Sequence, residues 1–431
     1  CATELGLSLG KKCGRCSTRY CGAACQVQHW KEGGHDQLCK PIKKAGGAEQ
    51  YNANARYTEA VAVAAEACAA DTEGQTCYIC TEALHWKTKE GLVRGCSCRG
   101  TAGFAHVSCL AEQAKILCDE AEENNLGHEV LNEKFGRWRR CSLCKQDYHG
   151  VVHCALGWAC WKTYLGRPET DCARRLAIAE LGSGLHDAEH HTDALSVREA
   201  DLASMRRIGE SEHNILAMQG NLAATYRVLG RSEEALSMRR DVYSGWLRLK
   251  GEEHENTLRE ANNYANLLKD LERFEEARAL MRKTMPVARR VYGEGNRLTL
   301  KMRWIYAAAL CMDPGATLDD LREAVTEHEE IESIARRVLG GAHPTTKAIE
   351  AALREARAAP FYRSLVFFCV SVVAAVYRDR VGDLALFVGI CAWVTALYIA
   401  ALGVAIAWMV YKNVRRLTSG EDDDDGLDAV L

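Results

Sequence analysis

Cysteine and histidine carry the chemistry that can be read from this chain, and they come in spaced sets. Between residues 13 and 39 stand Cys13, Cys16, Cys21, Cys25, His35 and Cys39. Cys13-x2-Cys16 is a knuckle that offers two thiolates to one tetrahedral Zn²⁺. His35-x3-Cys39 and Cys21-x3-Cys25 each span about one helical turn, so both side chains of a pair share a face. A longer set follows: Cys77-x2-Cys80, 15 residues, Cys96-x-Cys98, seven residues, His106-x2-Cys109, 31 residues, Cys141-x2-Cys144. Four thiolate or imidazole ligands close the zinc coordination sphere, so such sites are structural rather than catalytic. A module this small buries too little apolar surface to fold on that term alone. Zinc contributes on the order of 10–16 kcal/mol per structural site instead.

The rest of the composition bounds the problem. The chain has 431 residues, 21 Cys, 14 His and 6 Pro, a length that suits roughly two to four domains. Its 55 Lys+Arg against 58 Asp+Glu, net −3, exclude a whole-chain basic nucleic-acid binder and an acidic disordered protein. No nucleic-acid partner is expected. So many cysteines mean disulfides or metal. Eighteen of the 21 precede residue 173, whereas a disulfide scaffold would stay Cys-rich to its end, so metal is favoured. The chain opens at Cys1 with no Met and no signal-like apolar stretch, and reads as a fragment. The expected fold is mostly α: two small zinc-stabilised modules, an α-solenoid of helix pairs, and one or two transmembrane helices. The segments are 1–44 (first finger), 45–74 (helical linker), 75–150 (second finger), 170–357 (repeats), 361–411 (membrane hairpin or single span) and 412–431 (basic, then acidic tail).

The stretch RYCGAACQVQHWKEGGHDQLC resembles the MYND zinc finger. The resemblance implies two interleaved sites. Cys13, Cys16, His35 and Cys39 would hold one zinc; Cys21 and Cys25 would belong to the other, with Cys1 as a third ligand and the fourth before the first residue. One to two zincs are therefore expected here. MYND fingers do no chemistry and bind short peptides. No companion SET methyltransferase sequence is evident. His29 and Trp30 match the family's aromatic position and are expected to pack rather than ligate.

The second set, with its flank GCSCRGTAGFAHVSCL, resembles the RING-CH (RING-variant) finger. That resemblance implies two zincs in a cross-brace, one on Cys77, Cys80, His106 and Cys109, the other on Cys96, Cys98, Cys141 and Cys144. RING-CH proteins resemble ubiquitin ligases that hold a ubiquitin-charged E2 without becoming covalent themselves. Ile79 matches the apolar E2-contacting position, and Leu143 is a second candidate for that surface. Two departures count against activity. Gln113 stands where the family has Trp, and the 31-residue spacer is long. The spacer is expected to form a helix over about 110–125, with Leu110, Ala114 and Leu117 at helical spacing, and then a second short helix. Trp138 is a candidate stand-in for the missing aromatic. A PHD-like finger shares the ligand order but fits the spacings less well.

An internal repeat follows at a shift of 42. It carries Asn221 to Asn263, Ala223 to Ala265 and Ala307, Leu229 to Leu271, and Gly209 to Gly251 and Gly293; Gly340 follows 47 later, and Ala194 precedes Ala235 by 41. A fixed period of this size signals a solenoid, with a generic helical bundle as the alternative. With LKGEEHENTL and LGGAHPTT, the repeat resembles the long tetratricopeptide repeats of kinesin light chains. About four units fit between 173 and 357. The resemblance implies a groove for extended peptides, with Asn221 and Asn263 as candidate peptide-binding residues; a solvated or capping role is the alternative. His190, His191, His213 and His254 fall at helix ends and are expected at the surface.

Residues 384–411 contain no charge over 28 residues, longer than the roughly 20 needed to cross a bilayer, with no polar face. Leu365–Tyr377 is a shorter apolar run. Lys412, Arg415 and Arg416 on one flank and Arg354, Arg357 and Arg363 on the other place both flanks in the cytosol. This gives a hairpin, with a single span plus an interfacial helix as the alternative. The fingers would then face the cytosol from a membrane, endomembrane by preference. The sequence reading is thus a membrane-anchored RING-CH-type E3 ubiquitin-protein ligase that selects targets through its repeats and MYND finger. Its rival is a non-enzymatic adaptor of the same architecture. About four zincs are expected per full-length chain, three in this fragment if the truncated site cannot close. The sequence assigns Cys154, Cys160, Cys172 and Cys311 no role beyond packing.

Overall fold

The computed structural model describes residues 11–358 apart from 17, 342 and 344. They fall into two compact units that divide between Arg231 and Ser232. Each is mostly helical.

The first unit opens on a two-stranded antiparallel ribbon, β1 (Lys11–Lys12) and β2 (Arg19–Tyr20), followed by α1 (Ala23–Lys31) and α2 (His35–Ala45). Cys13, Cys16, Tyr20, Cys39 and Ile42 make its small core. Next come the long helix α3 (Ala48–Ala67) and the short α4 (Ala69–Thr72). The segment expected to act as a linker therefore holds a helix that is packed: Tyr57, Val61 and Ala64 enter one core with Cys77, Cys96, Cys109 and Cys141. Between residues 73 and 106 the chain has no helix or strand, only the isolated bridge Val93–Ala105. The 31-residue spacer folds as α5 (Val107–Glu123), α6 (His128–Phe135) and a 3-10 turn, Gly136–Trp138. Both helices expected there are present.

Helix α7 (Gly150–Tyr164) is apolar around its whole circumference, the mark of a helix covered on all sides. Val152, Ala155, Leu156 and Ala159 join the finger core. Another face lies against α8 (Cys172–Asp187), where the backbones come close. A Cβ on Gly184 would meet the His153 carbonyl oxygen at 2.8 Å. Helices α9 (His191–Arg207) and α10 (Glu212–Val228) complete the unit.

The second unit contains α11 (Ser232–Lys250), α12 (Glu255–Asp270), α13 (Phe274–Tyr292), α14 (Arg297–Met312), α15 (Leu318–Val338) and helical residues 345–358. The period read from the sequence is visible in both units as packing. Ala194, Ala235 and Ala277 are fully buried, as are Ala223, Ala265 and Ala307. Gly209, Gly251, Gly293 and Gly340 close every second helix, α9, α11, α13 and α15, with φ between 71° and 88°, a region only glycine enters without strain. The turn inside each of the first three helix pairs is left-handed too, at Glu189, Gly230 and Glu272.

Among the described residues no helix is long and apolar enough to cross a membrane. The segment expected to do so, 361–411, the tail 412–431 and Cys1 lie outside the described residues.

Candidate metal centres

Among the described residues three clusters of four ligand-type side chains form, and they are the ones the MYND and RING-CH resemblances imply: Cys13, Cys16, His35, Cys39; Cys77, Cys80, His106, Cys109; and Cys96, Cys98, Cys141, Cys144. Within each, the ligand atoms lie within 4.8 Å of one another. A tetrahedron with Zn–S near 2.3 Å and Zn–N near 2.0–2.1 Å requires S···S edges of about 3.8 Å and S···N edges of about 3.6 Å. The pairs Cys13–Cys39 and Cys98–Cys141 are 3.8 Å apart, and Cys109–His106 is 3.7 Å. Cys16–His35 and Cys80–His106 are slightly shorter, at 3.4 and 3.3 Å. Two thiols have little reason to hydrogen-bond at 3.8 Å, so these separations are edges of a coordination shell.

The protonation chemistry agrees. In each cluster the first knuckle cysteine is the acidic one, except that in the third this role falls to Cys141. Backbone amides of the knuckle and the His35 ring hold Cys13 down at about 6. Burial opposes ionisation of Cys77 and Cys141, yet amides of their own knuckles prevail, lowering Cys77 and bringing Cys141 to about 7. The amides of Ile79 and Leu143 donate to Cys77 Sγ and Cys141 Sγ, each at 3.4 Å. Burial and neighbouring thiols push the partner cysteines up: Cys39 to about 11, and Cys96 and Cys109 higher. Thiols packed this closely cannot all ionise unless a divalent cation neutralises them. Zn²⁺ is the ion that suits a set of four thiolates, or of three thiolates and one imidazole.

The two histidines present different nitrogens. His35 turns Nε2 to Cys16. His106 turns Nδ1 to Cys80 and Cys109, while Nε2 faces the Ala83 carbonyl at 3.4 Å, the outer contact that fixes a ligand's tautomer. Burial holds His106 below its ordinary value, keeping the ring neutral for a metal. His106 also occupies the N-cap of α5 without capping it. Glu90 substitutes, accepting from the Ser108 amide at 2.7 Å and the Ser108 hydroxyl at 2.9 Å. Tyr57 of α3 reaches the same hydroxyl at 3.0 Å.

The remaining predicted ligands form only part of a site. Cys21 and Cys25 bring their sulfurs to 2.9 Å, and Cys1 lies outside the described residues. His29 packs, its Nδ1 3.0 Å from the Tyr20 hydroxyl, whereas Trp30 remains 41% exposed beside the His35 ring. Ile79 and Leu143 are both exposed, at 37% and 48%. Trp138 is fully buried against Phe135 and Tyr164, so it supplies core and not a surface aromatic. The exposed aromatic near the first zinc cluster of the second finger is Trp86, 68% exposed and next to His85, whose ring contacts His106. The loop LHWKTKEG gave no periodic signal that would have singled it out. In the repeats, Asn221 is buried with its Oδ1 unpartnered, while Asn263 is half-buried and accepts from Asn262 at 3.4 Å. His190 is exposed; His191 and His213 are half-buried, and His254 caps α12. Cys154 and Cys160 are buried.

Family models match three stretches of the chain. A MYND finger matches residues 1–39, a RING-variant domain residues 77–127, and a tetratricopeptide repeat residues 214–290. No curated protein matches the chain. Among solved structures, the kinesin light chain TPR-like repeats of Podosopora anserina are similar at 18% identity, covering 54% of this chain and 97% of that one, with TM-score 0.37. BtubC from P. vanneervenii is similar at 13% identity, covering 62% and 91%, with TM-score 0.38. The chain thus carries a MYND finger, a RING-variant finger and tetratricopeptide repeats, with Cys/His sets for zinc at three sites.

Proposed function

We propose that this protein is an E3 ubiquitin-protein ligase whose RING-variant finger recruits a ubiquitin-charged E2. In this reading its repeats and MYND finger select the proteins to be modified. The observation that carries the reading is the pair Ile79 and Leu143. Each follows the same position in a zinc knuckle, each amide is tied to a ligand sulfur, and each side chain is left exposed. A rigid apolar pair costs little entropy to bury and suits a partner that must be held in one orientation. The zinc ions supply fold; the finger's own residues would bind E2 and orient its thioester.

Two further elements belong to the same proposal. The uncharged stretch 384–411 would anchor the protein in a membrane with the fingers in the cytosol and confine its targets to nearby proteins. Asn221 and Asn263, 42 residues apart in the repeat, would bind a peptide along the repeats, the half-buried Asn263 more directly than the buried Asn221.

A second reading, a non-enzymatic adaptor, is favoured by Gln113 at the family's Trp position and by the burial of Trp138. Reconstitution with E1, ubiquitin and a panel of E2 enzymes separates the two. The full chain should be used, because α3 and α7 share the finger core. Ubiquitin chains from wild type, lost in Ile79→Ala/Leu143→Ala and in Cys77→Ser, support the ligase. Silence of wild type with every E2 leaves the adaptor.

A further inference from the structure

The MYND finger carries charge out of proportion to the chain. Residues 11–44 hold eight Lys and Arg against two acids, Glu32 and Asp36, a net of +6 in a chain of net −3, leaving −9 elsewhere. A zinc with Cys13, Cys16, His35 and Cys39 would itself carry about −1 and offsets little of this.

The placement of these cations is electrostatically unfavourable in two places. Lys12 and Arg19 are directly paired across the β1–β2 ribbon, where like charges destabilise. Lys40, Lys43 and Lys44 stand at i, i+3 and i+4 on α2, where like charges again repel. The dipole at the end of α2 favours Lys43 and Lys44, but accounts for neither Lys40 nor the ribbon pair. None of these five side chains is buried, and none has a carboxylate at ion-pair distance among the described residues. In the same finger α1 exposes Val27 (51%) and Trp30 (41%), one helical turn apart, and Trp30 is held against the His35 ring.

We infer that the MYND finger binds a short acidic peptide segment of a partner protein. Its carboxylates would lie between the Lys12/Arg19 pair and the Lys40/Lys43/Lys44 face, with an apolar residue on Val27 and Trp30. The net charge of −3 on the whole chain favours a short acidic peptide over extended nucleic acid. The inference goes beyond the ligase reading and holds for the adaptor as well; its assay contains no E1 or E2.

The test is fluorescence anisotropy on the zinc-loaded full chain. The probes are a short labelled peptide of Asp and Glu around a Leu-Leu centre and its Asn/Gln counterpart. Wild type should bind the acidic peptide at least about tenfold more tightly, and Lys40→Glu/Lys43→Glu/Lys44→Glu should remove about that factor. Lys12→Gln/Arg19→Gln should weaken binding several-fold with zinc content unchanged, which covers the case in which the reversed variant fails to fold. Trp30→Ala should weaken both peptides. Equal affinity for the two peptides, or binding that no charge variant alters, overturns the inference. So does an oligonucleotide or an anionic phosphatidylserine vesicle that is held through these lysines while the acidic peptide is not.

Discussion

The Tyr78 and Ser142 hydroxyls lie 2.9 Å apart, joining the second residues of two zinc knuckles that are 64 positions apart in sequence. The next residues, Ile79 and Leu143, are the exposed apolar pair. This one hydrogen bond therefore ties together the two halves of the proposed E2 surface. Tyr78→Phe should cost about 1 kcal/mol in stability and lower ligase output, with all zinc retained. Ile79→Ala should reduce output more, with stability near wild type, because the side chain is partly in solvent. Denaturant titration read beside a ubiquitin-chain assay checks both; ligase output unmoved by Ile79→Ala would remove Ile79 from the surface.

Metal analysis of reduced native protein should find at least three zincs, one for each complete cluster. Cys77→Ser should remove one, whereas Cys68→Ser, a thiol outside every cluster, should remove none. Chelation should unfold the finger core, since each site contributes on the order of 10 kcal/mol. Full helicity and an unchanged melting curve in excess chelator would contradict a structural role.

A buried ion triad gives a pH signature. His153 on α7 contacts Asp187 through Nδ1 at 2.5 Å and Glu180 through Nε2 at 2.7 Å. Burial alone would hold His153 low, but the two carboxylates overturn this and raise it to about 10. Its charged form therefore stabilises the fold fully below pH 6.5, and the contribution is lost as pH rises through about 10. His153→Gln, which strands two buried carboxylates, should cost about 3 kcal/mol at pH 7. The gap between wild type and variant should narrow by pH 10. Urea unfolding at both values measures it; a constant gap would mean that His153 is neutral at pH 7.

The repeats predict their own improvement. Gly230 holds the left-handed turn between α10 and α11, and Glu272 holds the corresponding turn one period later at φ 60°. A side chain in that region costs about 1 kcal/mol or more, offset in part by glycine's extra freedom in the unfolded chain. Glu272→Gly should therefore stabilise the second unit by about 0.5 kcal/mol. A loss of stability of that size would show that the Glu272 side chain makes a compensating contact.

The ligand pairs were legible because a tetrahedron fixes the spacing within a knuckle or one turn of helix, and the MYND and RING-CH resemblances implied which pairs share a metal. The repeat was legible because Ala223, Ala265 and Ala307 must stay small where helices cross. Helix α3 was expected, but its packing was not legible, because Tyr57, Val61 and Ala64 show their role only once Cys109 and α7 are beside them. Helix α7 carries no polar face, so nothing in GVVHCALGWACWKTY says which side meets which neighbour. The buried arginines escaped for the same reason. Arg239 reads as a surface residue until Glu260 of the following helix appears at 2.8 Å. Arg303 does so until Glu327 and Glu330 do.

The close passage of α8 over α7 at Gly184 bears on how a ligase would work. Residues 165–171 look like a tether between finger and repeats, and a tether would let the E2 sweep a wide volume. With Gly184 seated on the His153 backbone, the finger and the first repeat helices are splinted instead. A target lysine would then have to come to one fixed place, so reach would be set by where the partner is gripped and not by the length of a linker.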